Sequence, residues 1–151
     1  MESLLLSVHV VAGILFVGPV TVATSLFPRY APVTATVGGA QQIERSIDTA
    51  RVLHRIARIY GILAIAVPVV GLLLAFVQGR TGEVWVVVAM VLTAIAGGLL
   101  ALQIVPLQEQ ALTSPDDGAQ LRRLRMVTGL FNLLWVLVVV LMIVRPGSSY
   151  V

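Results

Sequence analysis

Histidine, at positions 9 and 54, is the residue type in this sequence that most readily does chemistry near neutral pH. Its imidazole ring transfers protons and binds metals or haem iron. The sequence has no cysteine, which excludes disulfides, thiolate metal sites and a cysteine nucleophile. All ten basic residues are arginine, which excludes Schiff-base chemistry and a lysine general base. The surroundings of His9 and His54 therefore decide which chemistry the chain can support.

His9 lies inside an apolar run that begins at residue 4 and meets no charge before Arg29. An ionisable side chain within a membrane-spanning segment is by default a functional hypothesis. The helical rise per residue places His9 about 7 or 8 Å inside the segment, a depth at which Met90 and Met142 are also expected. Imidazole with thioethers suits Cu(I), so His9, Met90 and Met142 are a candidate copper site. His9 alone is a candidate haem ligand, and the favoured alternative is a neutral His9 that bonds a nearby carbonyl or reaches interfacial water.

His54 is predicted to lie at the other side of the membrane. Bis-histidine haem ligation needs two imidazoles at one depth, on opposite faces of the ring. The predicted topology separates His9 from His54 by most of a bilayer, about 30 Å, so one haem within one chain cannot use both. For His54 the sequence favours a hydrogen bond between packed helices.

Four apolar segments, each long enough to cross a membrane, occupy roughly residues 4–27, 56–78, 84–105 and 126–144. Hydrophobic residues make up 58% of the chain and the mean hydropathy is +1.00, far outside the range of soluble domains. Backbone groups in lipid must bond within their own segment, which predicts α-helices. We expect an all-α polytopic membrane protein, with one domain over 1–151 that forms a four-helix, up-down antiparallel bundle. The first segment is too long for a signal peptide and is expected to stay uncleaved.

The arginines predict the orientation of this bundle. Eight of them flank the first and third connections: Arg29, Arg45, Arg51, Arg55, Arg58, Arg122, Arg123 and Arg125. The opposite side has two, Arg80 and Arg145. By the positive-inside rule, the two long connections are cytoplasmic and both termini lie outside a bacterial cytoplasmic membrane.

Helical spacing continues beyond segments two and four on the predicted cytoplasmic side. Before and into segment two, small or apolar residues recur at Ile43, Ile47, Ala50, Ala57 and Gly61. A helix start predicted at residues 114–117, with Ser114 as its cap, leads into a matching series at Leu121, Leu124, Thr128, Phe131 and Trp135. We expect both helices to extend into the cytoplasm and to pack on each other.

Small residues and prolines mark further features of the spans. In the third segment, Ala89, Thr93, Gly97 and Ala101 lie four apart and predict a smooth stripe that packs within the bundle or, as the less favoured alternative, against a second copy of the chain. Gly71 and Ala75 predict close packing in the second segment in the same way. Pro19 should free the carbonyl of Leu15, and Pro68 that of Ala64. Polar groups near these prolines, such as Thr93 and Asn132, would either line a substrate path or repair the kinks.

Three arginines, Arg51, Arg55 and Arg58, share one helix face at the start of segment two. A net charge of +3 and a pI near 10.2 would indicate nucleic acid for a soluble protein. Beside apolar spans, anionic lipid headgroups are the better partner. We expect the lipid bilayer as the main partner, with a membrane protein or a second copy of the chain as further candidates, and no nucleic acid.

The first segment contains VHVVAGILFVGP, a histidine followed by small residues, and the last one closes as VLMIVRPG. Together with four spans in 151 residues, these stretches resemble a family of bacterial integral membrane proteins of unknown function. That family is distantly similar to CopD-type copper-resistance membrane domains and to membrane protoporphyrinogen oxidases. The resemblance implies a four-helix membrane fold, and His9 is the candidate site residue that it carries over. Residues 25–30, SLFPRY, are similar to the first helix of the oxidases, but the lack of lysine departs from their pattern, so no oxidase activity is implied.

The sequence leaves three hypotheses for function. The favoured one is a non-enzymatic structural or accessory membrane subunit without a cofactor, whose cytoplasmic extensions engage a partner or lipid. The second is a haem- or copper-associated protein that uses His9. The third is a small oligomeric transporter or channel with a path past Pro19 and Pro68; the absence of acidic residues within the spans argues against a carboxylate proton relay.

Overall fold

A computed structural model describes residues 1–34 and 46–148 of the chain, and these residues are helical without any strand. The α-helices are α1 (Glu2–Ala12), α2 (Gly18–Tyr30), α3 (Ile47–Leu63), α4 (Ala66–Val77), α5 (Val84–Leu99), α6 (Val105–Thr113) and α7 (Ala119–Val144). One π turn, Gly13–Val17, joins α1 to α2, and a second, Leu100–Ile104, joins α5 to α6.

These elements form four helices that are long and apolar enough to cross a membrane. They are span one (Glu2–Tyr30), span two (Ile47–Val77), span three (Val84–Thr113) and span four (Ala119–Val144). Each exceeds the roughly 20 residues that a bilayer core requires. The prediction of an all-α, four-helix membrane fold is confirmed.

The spans pack as two antiparallel hairpins. Span one lies along span two, with α1 on α4 and α2 on α3, while α5 of span three lies along span four. The hairpins meet where α2 contacts α7 and α3 contacts α6. These contacts lie at the loop end of the bundle, where spans one and three end. At the opposite, terminal end the hairpins barely touch, since α4 and α5 share few contacts.

Apolar side chains follow the same division. The main core contains large buried residues from three spans, among them Val20, Phe27, Leu100, Ile104, Leu124 and Phe131. A smaller cluster at the terminal end joins Ala75, Trp85 and Val86, with Met90 and Met142 packed against it. The bundle is therefore tightest toward the loop end.

Prolines interrupt three spans, and each interruption is repaired within its own helix. The two π turns end two residues before Pro19 and Pro106 respectively. In a π turn each amide bonds the carbonyl five residues earlier instead of four. This pattern lets the helix pass a proline, which has no amide hydrogen to donate. In span two, Pro68 cannot bond the carbonyl of Ala64, and the amide of Val67 donates to that carbonyl instead, at 3.0 Å.

The helical extensions of spans two and four are confirmed, but the expected packing of one on the other is wrong. Span three does not end near Pro106; it continues as α6 to Thr113. Buried Leu107, Gln108 and Ala111 place α6 between α3 and α7, which hardly touch each other directly. The extension of span three therefore separates those of spans two and four. Where each span leaves the membrane stays a prediction.

The helix of span four begins after the start predicted at residues 114–117. The expected serine cap at Ser114 is wrong, because α7 starts at Ala119 with Gly118 as its N-cap residue. The carboxylate of Asp116 accepts hydrogen bonds from the amides of Gly118 (2.8 Å) and Gln120 (2.9 Å). Gly118 has a φ of +95°, which glycine adopts without strain. Asp116, and not Ser114, therefore accepts hydrogen bonds from the backbone amides at the start of α7.

The predicted packing faces have mixed outcomes. In span four, Leu121, Leu124, Thr128 and Phe131 are all buried and Trp135 is half-buried, as expected. In span three, Ala89 is buried but Gly97 and Ala101 are exposed, so packing of the stripe within the bundle is wrong beyond its first turn, and its use against a second copy stays a prediction. The face that packs there instead contains Ala96, Leu100 and Ile104. Ile43 and Arg45 lie outside the described residues.

Candidate functional site

His9 is anchored to the neighbouring span by a hydrogen bond. Its Nδ1 atom lies 3.0 Å from the backbone carbonyl oxygen of Val67 in α4. A carbonyl oxygen can only accept, so Nδ1 carries the proton and donates it. The ring is half-buried between α1 and α4. His9 therefore joins spans one and two near the terminal end of the bundle.

Gly71 allows this close approach. A Cβ atom built on Gly71 would lie 2.7 Å from Cε1 of His9 and 3.2 Å from Nδ1. Such distances are shorter than van der Waals contact, so any larger residue at position 71 would displace the ring. The expected close packing at Gly71 and Ala75 is confirmed, and Ala75 is buried. The imidazole takes the space that a side chain would otherwise fill.

The two methionines of the candidate copper site lie together. Met90 and Met142 pack on the cluster of Ala75, Trp85 and Val86, whereas the hydrogen bond of His9 is to Val67. Within residues 1–34 and 46–148, no group of three or more His, Asp or Glu side chains could hold a metal ion. A copper site at His9, Met90 and Met142 stays a prediction.

His54 also bonds between helices. Its Nδ1 atom lies 3.1 Å from the side-chain oxygen of Gln108, so α3 is joined to α6. Gln108 is completely buried, and its Nε2 atom has no partner among the described residues. The expectation of an interhelical hydrogen bond for His54 is confirmed. Gln108 was not predictable as this partner, because a glutamine at a core position has no periodic signature.

Arg51, Arg55 and Arg58 are all exposed on α3. Arg51 forms an ion pair with Asp48 at 3.3 Å, between two well-exposed side chains. Exposed ion pairs of this kind add little stability, so the arginines stay available to other partners. Contact of these three residues with anionic lipid headgroups stays a prediction.

A polar and aromatic cluster closes the terminal end. The Trp85 indole N–H donates to the carboxylate of Glu83, which also pairs with Arg80 at 3.7 Å. The Arg145 guanidinium lies 5.6 Å from the Trp85 ring, a cation–π contact. The Nε of Arg145 also donates a hydrogen bond to the carbonyl of Met142. This cluster joins the turn between spans two and three to the end of span four.

Two cavities lie between the spans. An apolar one of about 80 Å³ has walls from all four spans, including Val17, Pro68, Thr93, Leu100 and Trp135. Thr93 donates to the carbonyl of Ala89 in its own helix at 2.8 Å and supplies no donor to a kink. The transport path past Pro19 and Pro68 stays a prediction.

The second cavity, of about 160 Å³, is polar and lies between α2 and α7. Its walls include Thr24, Ser25, Pro28, Arg125, Thr128 and Asn132. Asn132 donates from Nδ2 to the Ser25 hydroxyl at 3.0 Å, across 107 residues of sequence. The polar residues come from two distant segments, so only the folded bundle reveals the cavity.

No protein-family model matches this chain, and no curated protein sequence or solved structure matches it either.

Proposed function

We propose that this chain is a non-enzymatic structural or accessory subunit of a bacterial cytoplasmic membrane. The observation that carries the proposal is that both histidines bond between helices, His9 to Val67 and His54 to Gln108. These were the two side chains best suited to chemistry. Each now has a packing role that accounts for its position.

The helical extensions at the loop end support an accessory role. Arg51, Arg55 and Arg58 are exposed there and offer a cationic surface to lipid headgroups or to an acidic partner. We place this end in the cytoplasm and both termini outside, by the positive-inside rule. Membership of the bacterial family that the sequence resembles is part of the same proposal.

Purification from native membranes in mild detergent tests this function. We expect a colourless protein with no stoichiometric copper or iron, and a His9→Ala variant that loses thermal stability but changes no absorption band. A Soret band, or bound copper near one equivalent, that disappears in His9→Ala would overturn the proposal. Cells grown with added haem precursor and copper supply the control for cofactor availability.

A haem- or copper-associated role is the second candidate. The observation that favours it is the donor bond from Nδ1 of His9 to a backbone carbonyl. Metal-binding histidines commonly donate their second ring nitrogen in this way, which leaves the lone pair of Nε2 for the metal. Met90 and Met142 would be the thioether ligands of the copper version. The same purification distinguishes this candidate from the first.

A further inference from the structure

The polar cavity between spans one and four holds two polar atoms without partners. The Thr128 hydroxyl and the Asn132 Oδ1 are buried and bond to no other described residue. Thr128 as a whole is only 3% exposed. Leaving a buried polar group unsatisfied is costly, and native proteins rarely do so. These groups therefore call for a polar occupant of the cavity.

The amide of Asn132 can present either of its ends to that occupant. Its Nδ2 now bonds the Ser25 hydroxyl, but a hydroxyl both donates and accepts. Rotation of the amide by half a turn keeps the bond, with Ser25 as the donor, and turns the NH₂ group toward the unpaired side. Asn132 and Thr128 can then supply two N–H or O–H donors together.

Arg125 adds a positive charge to the wall of this cavity. It is exposed and forms no ion pair with any described residue. The cavity residues include no aspartate or glutamate that would neutralise the guanidinium. A guanidinium with neighbouring neutral donors is the set of groups that binds phosphate oxygens.

The position along span four indicates where this anion would come from. Arg125 directly precedes residue 126, where the apolar part of span four is predicted to begin, and Thr128 and Asn132 follow one and two turns deeper. Basic pockets between spans on the cytoplasmic side are suited to lipid head groups. A volume of about 160 Å³ exceeds the space that one water molecule needs.

We propose that this cavity binds a phosphate group, held by Arg125, Thr128 and Asn132. The phosphate belongs either to an anionic lipid headgroup or to free inorganic phosphate. The site is separate from the exposed arginines of α3, and it does not depend on whether the protein is an accessory subunit.

Native mass spectrometry of the detergent-solubilised full chain tests the site. The protein is titrated with phosphatidylglycerol, with phosphatidylcholine of the same acyl chains, and with phosphatidylglycerol in the presence of millimolar sodium phosphate. We expect tighter binding of phosphatidylglycerol than of phosphatidylcholine. Thr128→Val and Arg125→Gln should each raise the Kd for phosphatidylglycerol about tenfold, the usual effect of losing one hydrogen bond to a charged group.

Matched variants separate binding from folding. Arg122→Gln removes the same charge from the same helix outside the cavity and should leave the Kd within about twofold, as for a screened surface charge. Thr128→Ser keeps the hydroxyl and should bind like the unmodified protein, which Thr128→Val should not. Competition by sodium phosphate shows that free phosphate enters the same site, and no competition assigns the site to the lipid headgroup. Equal Kd values for Arg125→Gln and Arg122→Gln, or for Thr128→Val and Thr128→Ser, overturn the proposal.

Discussion

The imidazole of His9 occupies the space that a side chain at Gly71 would fill: its Cε1 atom lies 2.7 Å from where a Cβ would be. The same ring donates from Nδ1 to the carbonyl of Val67, one helical turn earlier in α4. His9 and Gly71 are therefore coupled, because the hydrogen bond from His9 to Val67 requires that residue 71 has no side chain.

Gly71→Ala should destabilise the protein. The added methyl group overlaps the ring of His9, and overpacking of this kind typically costs about 1–3 kcal/mol. Gly98→Ala in span three is the matched control, since a Cβ atom there meets nothing within 4 Å. Thermal unfolding in detergent measures both variants. Equal midpoints for the two alanine variants would show that the ring moves aside without cost.

A double-mutant cycle should expose the coupling directly. His9→Ala alone removes an interhelical hydrogen bond, which in membrane proteins is worth about 0.6 kcal/mol and at most about 1.7. In the His9→Ala background, Gly71→Ala no longer meets a ring and should be close to neutral. Unfolding free energies of the four proteins give the coupling energy. Strictly additive effects would contradict the contact.

The pair His54 and Gln108 should be coupled in the same sense. Gln108→Leu removes the acceptor of His54 and leaves its half-buried ring N–H unpaired, which costs at most about 1–3 kcal/mol. Replacing both residues by leucine removes that unpaired N–H as well and should be milder than the single change. Urea unfolding of the single and double variants provides the comparison. A double variant less stable than Gln108→Leu would refute this account.

Substitutions of Arg145 should reveal the free-energy cost of its backbone conformation at the end of span four. It is the one described non-glycine residue with a positive φ, 48°. Arg145→Gly and Arg145→Ala both lose the contact with Trp85, but glycine alone adopts this conformation without strain. The glycine variant should therefore be more stable than the alanine variant by about 1 kcal/mol. Their difference in melting temperature isolates the backbone effect from the lost side chain.

Orientation is tested by reporters. Alkaline phosphatase fused after Val151 should be active, because the positive-inside rule places this terminus outside. A second fusion after Asp117, on the predicted cytoplasmic side, should be inactive. The reverse pattern would invert the predicted depths of His9 and His54 and would move the phosphate cavity to the outer side.

The composition and the length of the uncharged apolar segments were sufficient to predict four helices, because a continuous apolar segment of about 20 residues satisfies its own backbone in lipid as a helix. The buried series from Leu121 to Phe131 followed from helical periodicity, since every member faces one side of an uninterrupted helix. An interhelical hydrogen bond of His54 was also predictable, although its partner, Gln108, was not. These features depend on local pattern alone.

Features that depend on how helices cross proline were not predictable. The third apolar segment was predicted over residues 84–105, but a π turn carries its helix past Pro106, and the continuation separates the extensions of spans two and four. A stripe of every fourth residue also drifts around a helix with 3.6 residues per turn, so Gly97 and Ala101 are exposed while Ala96 and Leu100 are buried. The polar cavity depends on a bond between Asn132 and Ser25, which no short-range pattern can indicate.

The whole interface between spans one and two lies within the first 77 residues, so its formation needs no residue of spans three and four. A chain synthesised from its N-terminus can therefore close the contact of His9 with Val67 while the second hairpin is still on the ribosome. The second hairpin then docks mainly near the loop end, where Leu100 and Phe131 are buried. We therefore expect the two hairpins to form first and then to associate, and a chain cut in the turn at residues 78–83 should yield two fragments that reassemble in the bilayer.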